Sequence, residues 1–206
     1  MLSIVIPTDN WENSYFQQSL IGYENNPNVE IIQVDVRIAP TRAERLNIGF
    51  HLSKGDIVLF HHPRTLLAPG AIEHLIKVSE EKKRSYLWGG FIHQFDKDHF
   101  MLRCISWYSN YIRSKWKGIV YLDHCVFFDR LYWNSDLEKK YIFEDTELSL
   151  MLRKFSHPVL LPYKAVTSAH RFQKNGILKQ IVLNQILKLG FYLRIPSKFL
   201  FSLYQK

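Results

Sequence analysis

GDIVLFHHPRTLLAPG, residues 55–70, decides the reading of the fold. A short unbroken run of Ile, Val, Leu and Phe follows Gly55, then His61-His62-Pro63-Arg64-Thr65, then a turn at Pro69-Gly70. Such a run between turn signals fits a strand covered on both faces. In open α/β sheets, residues just past a strand's carboxyl end face the ligand crevice. Two histidines and an arginine at the tip of an apolar strand therefore mark this rim as a place to look for chemistry.

The same rhythm extends outward. LSIVIP (2–7) and VEIIQVD (29–35) read as buried parallel strands, with residues 11–25 helix-like between them and Asn10 as cap. TRAERLNIGFHLSKG (41–55) predicts a helix that stops at Gly55, and APGAIEHLIKVSEEKKR (68–84) another with Pro69 near its first turn. After Arg84 the pattern predicts strands over 85–95 and 118–130, a helical stretch around 98–115 and a helix over 143–155. Short strands over 157–170 precede a long helix over 173–194 and, after Pro196, a last apolar helical turn. Alternating strands and helices give an α/β sheet. With no repeat or linker, residues 1–206 read as one domain, of which 173–206 form a basic amphipathic helical tail.

Composition narrows the classes. Hydrophobic content of 47% and aromatic content of 15% exclude a disordered chain. Cys104 and Cys125 lie too far apart for a metal-ligand pair and are too few for a disulfide framework, so both read as small core residues in a reducing compartment. The first ten residues lack the basic flank of a signal peptide, and no run is long enough to span a membrane, which gives a cytoplasmic expectation. Up to Glu147 there are 17 basic and 19 acidic residues; from Leu148 onward there are 10 basic and none acidic. That basic pole suits an anionic partner: nucleotide phosphates, the inner face of a membrane, or nucleic acid. The absence of any nucleic-acid-binding motif argues against the last.

Three polar clusters fall at strand ends, namely Pro7-Thr8-Asp9-Asn10, Asp35 and His61 to Thr65, and all three are expected to share one crevice. SIVIPTDN resembles the opening strand of the family 2 glycosyltransferases of GT-A fold. TRAERLNIGF (41–50), GDIVLFHHPRTLLAPG (55–70), GGFIHQF (89–95), YLDHCVFFDR (121–130), FEDTELSLMLR (143–153) and TSAHRF (167–172) then resemble, in order, the motifs of one bacterial branch. That branch is often described as glycosyltransferase-like proteins associated with radical-SAM genes. The resemblance covers nearly the whole chain and implies a compact GT-A mixed sheet flanked by helices, with sugar transfer from a nucleotide diphosphate donor to an acceptor hydroxyl.

On that resemblance, Pro7, Thr8 and Asp35 would surround the nucleobase and ribose, and Arg42 and Asn47 would approach the donor. Asp145 would be the base of an inverting transfer. At a helix start the dipole favours its charge, while Glu144 and Glu147 beside it oppose that charge and could lift its pKa. Asp123 is retained from a longer family motif, and Arg171 would help bind pyrophosphate. The ordinary alternatives are a surface arginine, a helix-internal asparagine and a helix-start acid.

The chain departs from the family in two places. Laid on FLHADT, FHHPRT puts His62 on His and Arg64 on the aspartate that would hold Mn²⁺ or Mg²⁺. A guanidinium offers a hard cation no oxygen ligand. Either Arg64 replaces the cation against the diphosphate, or the site has decayed and the domain binds or scaffolds without transfer. Second, the family's stretch after Asp35 is shortened to VRIAP before Thr41. His61, His62, His124 and His170 fall on motif segments, and His62 and His170 are the candidate metal contacts, without a metal-binding spacing to support them. In 177–194, Ile177, Leu178, Ile181, Val182, Ile186, Leu189 and Leu193 recur at helical spacing opposite Lys179, Gln180, Asn184 and Lys188. Most such faces pack on their own domain. With IPSKFLFSLYQK after it, this one also fits peripheral contact with anionic lipid and a glycan or lipid-linked acceptor.

Overall fold

The structure, a computed structural model, describes residues 1–8, 15–81 and 87–205. The first half alternates largely as its patterning predicts, except for β4, which the patterning does not signal, and for α2, which stops at the Ser53 cap instead of Gly55: β1 Leu2–Thr8, α1 Tyr15–Leu20, β2 Val29–Asp35, α2 Arg42–Leu52, β3 Ile57–Phe60, β4 Thr65–Leu67 and α3 Ala71–Glu80. The proposed cap Asn10 lies outside the described residues, as does the end of the helix expected to reach Arg84. The second half holds β5 Trp88–Phe95, α4 Phe100–Trp107, β6 Val126–Asp129, α5 Glu144–Leu152, β7 Val159–Thr167, α6 His170–Asn175, α7 Ile177–Tyr192 and α8 Ser197–Gln205.

These strands form one seven-stranded mixed sheet in the order β2-β1-β3-β6-β5-β7-β4. β1 runs parallel to β2 and β3, while β6 lies antiparallel between β3 and β5. Both faces are covered along the central strands β1, β3 and β6, which is why these are almost wholly apolar. Ile4 and Ile6 of β1 point into a core with Phe16 and Leu20 of α1 and Leu75 of α3. Val5, between them, joins Leu46 and Phe50 of α2 and Leu148 and Leu152 of α5 on the other face. Thr41 caps α2 in a capping box with Glu44, which is worth about 1 kcal/mol.

Five sequence expectations need correction. Residues 118–130 are not one strand, since only Val126–Asp129 pairs in the sheet. Val120 donates its N–H to the Ser149 hydroxyl at 2.9 Å and Leu122 to the Asp145 carboxylate at 3.3 Å, so α5 rather than a strand takes those groups. Instead of short strands, residues 159–167 form a single strand, bulged against β5 where Pro162, with no N–H to give, falls between the partners of Phe91 and Ile92. The long tail helix breaks at Gly176, which adopts φ 83°. The 98–115 helix starts as α4 but winds from Tyr108 to Trp116 as a π-helix, a wider coil common at functional sites. Cys104 is exposed and only Cys125 is in the core.

Candidate functional site

The sheet's carboxyl edge and the helices after β5 enclose a cavity of about 630 Å³. Six of the residues singled out from sequence line it: Arg42, His62, Arg64, Asp123, Asp145 and Arg171. The β3–β4 loop brings His62 and Arg64; the first turns of α2 and α5 bring Arg42 and Asp145; a 3₁₀ turn at Leu122–His124 brings Asp123. The backbone around both carboxylates is unusual. Cys125 and Phe143 hold φ of 52° and 69°, a region costly for side chains bearing a Cβ and concentrated at functional sites.

Asp145 is 8% exposed and accepts hydrogen bonds from the N–H groups of Thr146 at 2.8 Å and Leu122 at 3.3 Å. Burial and then the neighbouring Glu144 push its pKa up to about 6, against the pull of Arg42 and the Leu122 N–H. Glu144 itself is buried and ion-paired to Arg42. Burial works against the charge of Arg42, but Glu144 and Asp145 raise its pKa above the ordinary value.

Asp123 contrasts with Asp145. Burial opposes its charge, yet its surroundings lower its pKa, through Arg42 and Arg113 once His62 and His93 are neutral. His62, 3.7 Å from Asp123, is itself driven down to about 3 by burial and is neutral at pH 7, so the charge on Asp123 rests on the two guanidinium groups. Two carboxylates in one cavity thus take opposite tendencies, the pattern by which proteins separate proton-transfer and electrostatic roles.

Five cationic side chains, Arg42, Arg64, Arg113, Arg171 and Lys188, line the cavity against these two carboxylates. No carboxylate lies within ion-pairing distance of Arg64 among the described residues. The guanidinium of Arg113 lies 3.5 Å from the centre of the Tyr121 ring and donates to Ser109. Arg171 stacks 3.7 Å from the Tyr204 ring and donates to the Tyr204 carbonyl at 3.1 Å. Burial, then Arg113 and Lys117, bring Lys188 down to about 8.

His93, missed from the sequence, is the most informative lining residue. It is 3% exposed, and neither ring nitrogen has a hydrogen-bond partner among the described residues. Beyond Gly89 the β6 side of β5 is free, and Asn110 of the π-helix clamps the His93 backbone there at 2.8 and 3.0 Å. Buried polar groups normally find partners, so an unpartnered imidazole facing a polar cavity marks a ligand contact. Its signal was the alternation Phe91, His93, Phe95 on a strand, which sets one imidazole among aromatics on one face. Arg113, Tyr121, Gln180, Asn184 and Lys188 also line the cavity and were not singled out for it.

Among the described residues, Pro7, Thr8, Asp35, Asn47 and His170 are not lining residues, while Asp9 and Asn10 of the first strand-end cluster lie outside the described residues. Thr8 and Asp35 are register partners at the carboxyl ends of β1 and β2, and the Asp35 carboxylate accepts from the N–H and the side chain of Arg37. Asn47 exchanges two hydrogen bonds with the backbone of Leu137 at 2.9 and 3.0 Å, which fixes a loop instead of reaching into the cavity. His170 is exposed. No group of three His, Cys, Asp or Glu side chains with metal-binding geometry occurs among the described residues, and the Arg64 guanidinium beside His62 offers a hard cation no oxygen ligand.

A mixed seven-stranded sheet flanked by helices, with its cavity at the carboxyl edge, is a glycosyltransferase-like α/β fold of GT-A type. The chain is similar in structure to the glycosyltransferase TarS of S. aureus. The 1–349 segment of TarS superimposes with a TM-score of 0.50 at 13% identity, covering 81% of this chain and 57% of that one. A longer TarS structure also gives 0.50 at 13% identity, covering 82% of this chain and 35% of that one. The chain therefore spans little more than half, or about a third, of those structures. No family model matches the sequence. No curated protein matches it either.

Proposed function

We propose that this protein transfers a glycosyl group from a nucleoside diphosphate sugar to an acceptor hydroxyl, with inversion, in the manner of the bacterial family 2 enzymes its motifs resemble. The observation that carries the reading is a carboxylate with a pKa of about 6 in the same cavity as five cationic side chains. In the proposed step Asp145 takes the proton of the acceptor hydroxyl while that oxygen bonds to the anomeric carbon. The bond from that carbon to the diphosphate breaks, and the leaving group keeps the electron pair. Arg64, Arg42, Arg113, Arg171 and Lys188 would neutralise the departing diphosphate without a metal, their fixed donors supplying what a cation supplies elsewhere. His93 would bond a donor or acceptor hydroxyl.

A second reading is favoured by one observation. Only six residues, 36–41, connect β2 to α2, and Pro7, Thr8 and Asp35 do not line the cavity. A domain without a full nucleoside-holding wall would bind a phosphorylated ligand or act as a scaffold without turnover. A thermal-shift screen of nucleoside diphosphates and nucleotide sugars, with and without Mn²⁺, separates the two. The transferase reading expects a rise in Tm with one base, independent of the metal, and turnover lost in Asp145→Asn with binding retained. Absence of any nucleotide response would rule it out.

A further inference from the structure

Helix α7 faces three ways. Gln180, Asn184 and Lys188, each about one turn apart, line the cavity. Ile177 and Ile181 pack with Leu102 and Ile105 of α4, while Leu183, Leu187 and Phe191 meet Phe143 and Leu200. The remaining face carries Leu178, Val182, Ile186, Leu189 and Leu193, which are between 53% and 68% exposed. This reverses the expected packing: the polar edge turns inward and much of the apolar stripe turns out. One exposed leucine is ordinary, but five aliphatic side chains along one helix face need an occupant.

The surroundings indicate which. The helix beside α7 exposes Trp107, Tyr111 and Trp116, and the Lys188 ammonium, 5.7 Å from the Tyr108 ring, joins the two helices. Around them Lys174, Lys179, Arg194 and Lys198 are exposed, and from Leu148 onward the chain has ten basic residues and no acid. A second copy of this chain would bring like charges together across such a face. Aliphatic side chains, tryptophan and tyrosine, and unopposed lysines are the combination that lies at an anionic lipid interface. No helix among the described residues is long and apolar enough to cross a membrane.

We infer that the outward face of α7, with the exposed aromatic residues of the neighbouring helix, docks on the surface of an anionic lipid bilayer. The docking needs no nucleotide, so it stands or falls separately from the transferase reading. The test is flotation of the full chain with vesicles of phosphatidylcholine, with and without phosphatidylglycerol. Binding is expected to the phosphatidylglycerol vesicles and to weaken with salt. The pair Val182→Glu and Leu189→Glu is expected to reduce the bound fraction about tenfold, since burying two carboxylates at a negative surface is doubly unfavourable. Because these side chains are exposed, Tm should be unchanged; the milder pair Leu178→Ser and Leu193→Ser covers the case in which the glutamates disturb folding. Failure to float with anionic vesicles would overturn the inference. So would a stable dimer in sedimentation velocity that the same substitutions dissociate, because the face would then belong to a second copy.

Discussion

Arg42, the first residue of α2, is ion-paired to Glu144, the first residue of α5, and so ties the helix after β2 to the helix that carries Asp145. The pair draws a cation against two adjacent buried carboxylates, and Arg42 is the main influence lowering the pKa of Asp145. Without it Asp145 would hold its proton more strongly.

The pH profile of turnover should therefore be bell-shaped. The acid limb follows Asp145 near pH 6, and the alkaline limb follows Lys188 near pH 8 as the cavity loses a positive charge. Arg42→Gln should move the acid limb to higher pH, and Lys188→Met should remove the alkaline one. A profile unchanged by both would show that neither group governs the reaction.

Stability carries a related sign. With its pKa raised from 3.8 to about 6, Asp145 binds more protons in the folded than in the unfolded chain, so its contribution falls as pH rises through that interval. Asp145→Asn lacks this slope and should have a higher Tm than the parent at pH 7, measured by calorimetry.

The buried imidazoles act the other way. Burial drives His61 and His93 down to about 4 and His62 to about 3, so below pH 6.5 the unfolded chain takes up protons the folded chain refuses. Each contributes about 1.4 kcal/mol per pH unit while only the unfolded form is protonated. Denaturant midpoints should fall steadily as pH drops from 6.5 towards 4, and His93→Leu should flatten the fall.

Arg64→Ala should lower the affinity for a responding nucleoside diphosphate at least tenfold, about 1.4 kcal/mol, with little change in the Tm of the free protein. The side chain makes no ion pair with the described residues that folding would lose. Equal affinity by calorimetric titration would remove Arg64 from the phosphate site.

Gly89→Ala tests the sheet. A Cβ there would sit 1.9 Å from the Val159 carbonyl oxygen, backbone against backbone, where β5 and β7 begin to pair. A loss of about 3 kcal/mol or more in urea unfolding is expected, at the upper end of overpacking costs.

The first half of the fold was legible because its signals agree: buried β-branched runs, helical segments between them and short turns, while the Thr41–Glu44 capping box is also in the sequence but was not singled out there. Around residues 118–125 the sequence misleads. An apolar run looks like a strand, but its N–H groups are taken by Ser149 and Asp145, far along the chain. Arg42, Arg64, Asp123, Asp145 and Arg171 could be read as one site from motif order, whereas His93 and Lys188 could not. A lone imidazole on a strand and a lysine on an apolar helix reveal their direction only once β5 and α7 are placed. A helix apolar on most sides does not disclose which side is covered.

That last property makes α7 sensitive to register. Inserting one residue between Gly176 and Gln180 would turn everything after it by about 100°. Leu183 and Leu187 would take the positions of Asn184 and Lys188, replacing amide and ammonium by hydrocarbon at the cavity, while Lys188 would move to the outward position of Leu189. Length along this stretch is thus a specification in itself: the spacing of four from Gln180 to Asn184 to Lys188 tells each surface which medium it meets.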